Sequence, residues 1–323
     1  MQDQVEKSSR WEQEVLEKTL MANVTEHRRS RRWSIFFKLI ILGYVVFLTA
    51  IWMGAKGKPA LKDHVALIDV VGAIGQGQEV DADQVATSLH RAFNEPKVKG
   101  IILRINSPGG TPVQSAYIYD ELKRQKTLHP EKKVYAVAVD ICASGAYYVA
   151  VGADEIYANK SSIIGSIGVL MPGFGFVDTM QKVGVEQRSM SAGKNKLFMD
   201  PFSAIKPEQV AFTQALLDDV HSHFINAVKE GRGARLKPND EVFTGLFWTG
   251  DKALEMGLID GIGSSGFVAR KIFGVIDGDK DKEVLVIDYT TSHSLLDRLA
   301  SRMGSSFGKQ ITSEMGLQPN TLR

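Results

Sequence analysis

Apolar positions along the chain fall into three kinds of run. The first, WSIFFKLIILGYVVFLTAIWMG (33–54), is apolar apart from Lys38 and has the length of about 20 residues that a helix needs to cross a hydrocarbon core. Runs of the second kind are short and almost continuous: HVALIDVVGAI (64–74), VKGIILRINS (98–107), KVYAVAVD (133–140), DEIYAN (154–159), SSIIGSIGVL (161–170), VEQRSMSAG (185–193) and EVLVID (283–288). The third kind is amphipathic, with apolar residues three and four apart, in DQVATSLHRAF (83–93), from about Val113 to Lys126, and in PEQVAFTQALLDDVHSHFINAVKEG (207–231). Strand-length runs between helical stretches predict crossover units around a buried, largely parallel sheet, an α/β fold.

The first run reads as a single membrane anchor. Trp33 and Trp52 stand at its ends, where amphipathic rings favour the interface, and Lys38 is near enough to one end to snorkel. A cleaved signal peptide is the rival reading, but about thirty residues precede the segment and no clear small-x-small cleavage site comes after it. Arg28, Arg29, Arg31 and Arg32 precede the run and Lys56, Lys58 and Lys62 come after it. That asymmetry favours a cytoplasmic N-terminus, with the remainder outside the cytoplasm.

Ahead of the anchor, Ser9 and Glu12 form a capping-box pattern, with Trp11, Val15, Leu16 and Leu20 on one helical face. The expected organisation is a cytoplasmic segment (1–32), the transmembrane helix (33–54), a polar linker AKGKPALKD (55–63), a catalytic-size domain (64–275) and a C-terminal part (276–323). In that last part a polar turn DGDKD (277–281) precedes a short strand. A helix there carries Leu295, Leu296, Leu299 and Met303 on one face, and a poorly ordered tail ends the chain.

Composition narrows the chemistry. With 323 residues and 44% hydrophobic content the chain can bury a sizeable core, and a net charge of +2 argues against nucleic-acid binding. Cys142 is the sole cysteine, which excludes an internal disulfide and a multi-cysteine zinc site; with neither a histidine nor a charge beside it, it reads as a small buried residue. His221 and His223 sit two apart on a predicted helix and point to different faces, so they read as solvated rather than as ligands. GIGSSG (261–266) matches a dinucleotide-loop pattern, yet only about 60 residues remain beyond it, so a helix C-cap and tight turn is the plainer reading. No cofactor or metal is expected.

Three separate segments offer groups for nucleophilic catalysis, although INSPGG alone equally describes a plain turn and a lysine is more often a solvated surface residue. Ser144, in DICASGAYYVAVG (140–152), ends an apolar strand and opens an apolar helix; alone it reads as an N-cap, and no histidine lies within ten residues of it. One crossover earlier INSPGG (105–110) ends a strand with Pro and two glycines, a turn whose amides can face a ligand and hold an oxyanion. SAGKNK (191–196) supplies lysines, and a desolvated lysine can serve as a base in a Ser-Lys dyad. In an extended segment Lys194 and Lys196 point the same way, so the residues alone leave both open.

LRINSPGG (103–110), VDICASGAYYVAVGADEIYANKSSIIGSIGVL (139–170), SAGKNK and VFTGLFWTGDKALEMGLIDGIG (242–263) together resemble the signal peptide peptidase A type of serine peptidases, which share the Clp protease and crotonase type of fold. The similarity covers roughly residues 64–275. It implies repeated β-β-α and βαβ units with largely parallel sheets, Ser144 as nucleophile, Lys196 as general base and Ser166, in GSIGV, as the hydroxyl that orients the lysine. It also implies an oxyanion site formed by Gly145 and by Gly109 or Gly110. Asn195 stands where a tyrosine is common in the family, and Ala146 replaces a usual second glycine.

The activity implied is acyl transfer to Ser144 from a peptide carbonyl, followed by hydrolysis. The family's substrates are signal peptides left in the membrane, and its short members assemble into a ring or dome whose subunits share active-site grooves. The bilayer, apolar peptides and further copies of the chain are therefore the expected partners, and a bacterial inner membrane with the catalytic domain outside the cytoplasm is the expected location. Two alternatives keep the fold: a non-proteolytic membrane scaffold or quality-control partner with Ser144 as a cap, and acyl-CoA chemistry through the same oxyanion loop.

Overall fold

The computed structural model describes Met21 and residues 31–51, 62–275 and 284–291. The capping-box helix expected before the anchor, most of the linker, the polar turn at 277–281 and the amphipathic stretch at 295–303 lie outside these residues. The chain divides into two compact units, Met1–Ala60 and Leu61–Arg323. In the first, α1 (Arg31–Ile51) is 21 residues long with a mean hydropathy of 2.3 in its most apolar window. At 1.5 Å per residue it reaches about 30 Å, enough to cross a hydrocarbon core. It is the one such helix among the described residues.

In the second unit β1 (His64–Val71), α2 (Ala82–Asn94), β2 (Val98–Ser107), α3 (Pro112–Leu128) and β3 (Val134–Ala143) come in strict alternation. Next are α4 (Gly145–Ala150), β4 (Glu155–Ala158), β5 (Ile163–Gly165), α5 (Val177–Lys182) and the 26-residue α6 (Pro207–Arg232). A 3₁₀ turn (Gly233–Arg235), β6 (Phe247–Thr249), α7 (Gly250–Glu255), β7 (Gly261–Ile262), α8 (Ser265–Ile272) and β8 (Val286–Asp288) complete it. The eight strands form one sheet in the order β6-β5-β3-β2-β1-β8, with β4 paired to both β3 and β7. Every pairing is parallel except β5 with β6. The α/β class read from the apolar runs is the one the chain adopts.

The near-continuous apolar strands are explained by burial on both faces. Ala66, Ile68 and Val70 of β1, Ile101, Leu103 and Ile105 of β2, and Ala136 and Ala138 of β3 pack into the large core with α2, α3, α4 and α6. Their neighbours Val65, Ile102, Tyr135 and Val137 face the other way, against Val268 and Ala269 of α8. Asp81 caps α2 by accepting from the Asp83 amide at 3.0 Å, and Pro112 at the first turn of α3 fixes its start.

Two expectations fail. VEQRSMSAG is not a strand: it belongs to a segment running from Leu170 to Phe212 in which no residue is buried. With no core to face, its apolar side chains supply no driving force for joining the sheet. GIGSSG is not a helix C-cap but a strand-to-helix turn, in which Gly261 and Ile262 form β7 and Ser264 caps α8 by accepting from the Phe267 amide at 3.3 Å.

Candidate active site

Ser144 joins β3 to α4 with φ 53° and ψ −127°. Positive φ is unfavourable for a residue with a Cβ, at a cost on the order of 1–3 kcal/mol. Ser144 occupies the N-cap position of α4, as its place in the sequence suggests, but its hydroxyl makes no capping hydrogen bond. The backbone is pinned instead: its N–H donates to the Gly165 carbonyl at 2.8 Å, and its carbonyl accepts from Tyr147 and Tyr148 at 2.9 and 3.1 Å. Amide and carbonyl are both engaged, while the side chain faces a cleft of about 490 Å³ lined by Gly110, Gly145, Ser166 and apolar side chains including Leu170, Val220 and Phe224.

The glycine turn after β2 meets this serine directly. A Cβ on Gly109 would lie 2.8 Å from the Ser144 Cβ and 2.7 Å from the Gly145 nitrogen, and Gly109 itself has φ 100°. Its N–H donates to Ser107 Oγ at 3.1 Å and its carbonyl accepts from Ile74 at 2.9 Å. Gly110 rather than Gly109 therefore reaches the cleft. A Cβ on Gly145 would stand 3.2 Å from the Gly110 nitrogen and overlap Ser115 Oγ, so close approach requires glycine here.

Ser166 shares the cleft and, like Ser144, is a non-glycine residue at positive φ, 54°. Its N–H donates to the Leu246 carbonyl at 2.7 Å. On the next residue the Ile167 carbonyl bonds His221 Nε2 of α6 at 3.1 Å. His221 is thus half-buried and holds the serine turn, contrary to the solvated face expected of it; His223 is the exposed one, 4.0 Å from Asp219.

Lys194 and Lys196 are both exposed, on a turn in which the Lys196 amide donates to the Gly193 carbonyl at 3.1 Å. Neither is among the residues that line the cleft. The chain thus brings together Ser144, Ser166, Gly110 and Gly145 and leaves the lysine turn on its surface. Cys142 is fully buried, and burial pushes its thiol up, away from the reactive thiolate. Ser107, which accepts from the Gly109 amide two residues on, and Ser115, which donates to the Thr111 carbonyl four residues back, carry no periodic signal in the sequence, and the long-range bond of His221 to Ile167 carries none either.

Comparison with known proteins assigns the chain to a family. The model of peptidase family S49 matches residues 126–272, which include Ser144, Ser166 and the lysine turn. A putative protease of Synechocystis is 32% identical over 256 residues, covering 76% of this chain and 90% of that protein. The chain belongs to peptidase family S49. A putative signal peptide peptidase SppA of Enterococcus faecium is 30% identical over 217 residues, 66% of this chain and 62% of that protein. A Brucella abortus protein named Na(+)/H(+) antiporter NhaA is 38% identical over 266 residues, and there the S49 chain spans 80% of its own length but only 35% of the relative's.

Proposed function

We propose that the chain is a membrane-anchored serine endopeptidase with a Ser-Lys dyad, acting on cleaved signal peptides and other membrane-associated or unfolded polypeptides outside the cytoplasm. One observation carries this reading: Ser144 is held at positive φ with its hydroxyl uncapped, facing an apolar cleft that Gly110 and Gly145 also line. The hydroxyl attacks a peptide carbonyl, the Gly110 and Gly145 amides take the oxyanion, and neutral Lys196 accepts the serine proton and returns it to the leaving amine. Water then releases the acyl-enzyme. Ser166 orients the lysine from the cleft wall.

Lys196 is supplied to this cleft by a neighbouring copy of the chain. Its turn is exposed, and the surrounding segment shows solvent Leu170 (79% exposed), Phe174 (81%) and Met190 (98%), as an element covered by another subunit would. The apolar α1 keeps the domain at the bilayer where apolar peptides are released, and the apolar cleft walls suit such residues. The test is hydrolysis of an apolar peptide by the full chain in detergent: Ser144→Ala and Lys196→Ala each abolish turnover while the fold persists. Full activity in Lys196→Ala with loss in Lys194→Ala would contradict the assignment of the base.

A further inference from the structure

β3 changes partners part-way along its length. Tyr135–Ala138 pair with β4, and Ile141–Ala143 pair with β5. On its other edge the register against β2 jumps at the same place, because Ile105 faces Ala138 whereas Ser107 faces Cys142. Val139, Asp140 and Ile141 thus lie opposite the single residue Asn106. Such a bulge bends the strand and leaves ladder groups without partners, and bulges next to active sites re-aim the side chains beyond them.

Side chains fill this one from both sides. Asn106 Oδ1 accepts from the Ile141 N–H at 3.2 Å while its Nδ2 donates to the Asp140 carboxylate at 2.9 Å. Only this amide orientation satisfies both partners. On the β5 side Ser162 Oγ donates to the Val139 carbonyl and accepts from the Asn159 N–H at 3.0 Å. Ser144 comes three residues after Ile141, and Gly109 three after Asn106, so one amide fixes the offset between two turns whose tips touch.

We infer that Asn106 is a positioning residue: paired with Asp140, it locks the bulge that brings Ser144 against the Gly109–Gly110 turn. Neither side chain is buried, so the pair adds little to the core and acts on geometry. This inference rests on the reading of Ser144 as the nucleophile.

The test is the rate at which a fluorophosphonate labels the full chain in detergent, with the thermal midpoint measured alongside. Asn106→Asp removes the donor and sets two carboxylates against each other, and it slows labelling about tenfold or more, as small misplacements of reacting groups do. The swap Asn106→Asp with Asp140→Asn again faces one amide with one carboxylate, and it recovers to within about threefold of wild type by the logic of a double-mutant cycle. A wild-type rate in Asn106→Asp overturns the inference, and so does a swap that is as slow as the single variant or does not fold. Where Asn106→Asp alone fails to fold, the swap decides. Ser144→Ala separates the two readings: label retained there overturns the nucleophile assignment, whereas label lost there beside an unaffected Asn106→Asp overturns only the positioning role.

Discussion

The Ser144 amide donates to the Gly165 carbonyl at 2.8 Å, so the turn that carries the proposed nucleophile hangs from the turn that carries Ser166. Gly165 has φ 112°, and a Cβ there would come within 2.8 Å of the Trp248 ring. Gly165→Ala is expected to destabilise the domain by about 1–3 kcal/mol through strain and overpacking. It also lowers the fluorophosphonate labelling rate below what its folded fraction accounts for, measured by denaturant titration beside labelling.

The proposed supply of Lys196 across subunits has a quantitative consequence. Ser144→Ala chains keep the lysine and Lys196→Ala chains keep the serine, so each is inactive alone. Mixed in equal amounts and reassembled at random, they regain about a quarter of wild-type turnover, because one neighbour pairing in four unites an intact serine with an intact lysine. A lysine serving its own chain gives no recovery.

The buried cation near α4 gives a stability prediction. Arg232 is 1% exposed; it donates to the Gly257 carbonyl at 2.8 Å and to both Asp260 oxygens at 2.8 and 2.9 Å. Burial by itself would raise the Asp260 carboxyl, but the Arg232 hydrogen bonds and charge outweigh it and hold the group below its ordinary 3.8. A depressed carboxylate contributes stability that is fully present above its ordinary value and is lost as the pH falls towards the folded one. Asp260→Asn is expected to cost about 3–5 kcal/mol at neutral pH, since it strands a buried guanidinium. The gap from wild type narrows below pH 3.8, which chemical denaturation at several pH values checks.

The proposed substrate cleft leads to a specificity prediction. Val220 lines the wall on α6, and Val220→Trp is expected to lower kcat/KM about tenfold or more for a peptide with leucine at the cleaved position, with little change for alanine. Steady-state kinetics on the two peptides measures the ratio.

The strands and long helices were legible because burial imposes periodicity: β2 from Val98 to Ser107 and α6 from Pro207 to Arg232 match their apolar pattern almost to the residue. Ser144, Ser166 and the glycine turn were legible as motifs. The segment after Gly168 was not, because its apolar residues resemble a strand in the sequence and yet face solvent. Nor does the motif distinguish Gly109, whose amide donates to Ser107 Oγ, from Gly110, which lines the cleft. Asn106 and His221 act through backbone atoms far away or across a bulge, and neither apolar period nor short motif encodes such contacts.

Ser144 is the proposed nucleophile on which the proposed mechanism rests. The direct measurement is mass spectrometry of the full chain after reaction with a fluorophosphonate, with the adduct located by proteolytic mapping. One adduct is expected, on the fragment bearing Ser144, that forms in step with the loss of peptide hydrolysis and is absent from Ser144→Ala. Wild-type hydrolysis in Ser144→Ala, or an inactivating adduct on another residue, would contradict it.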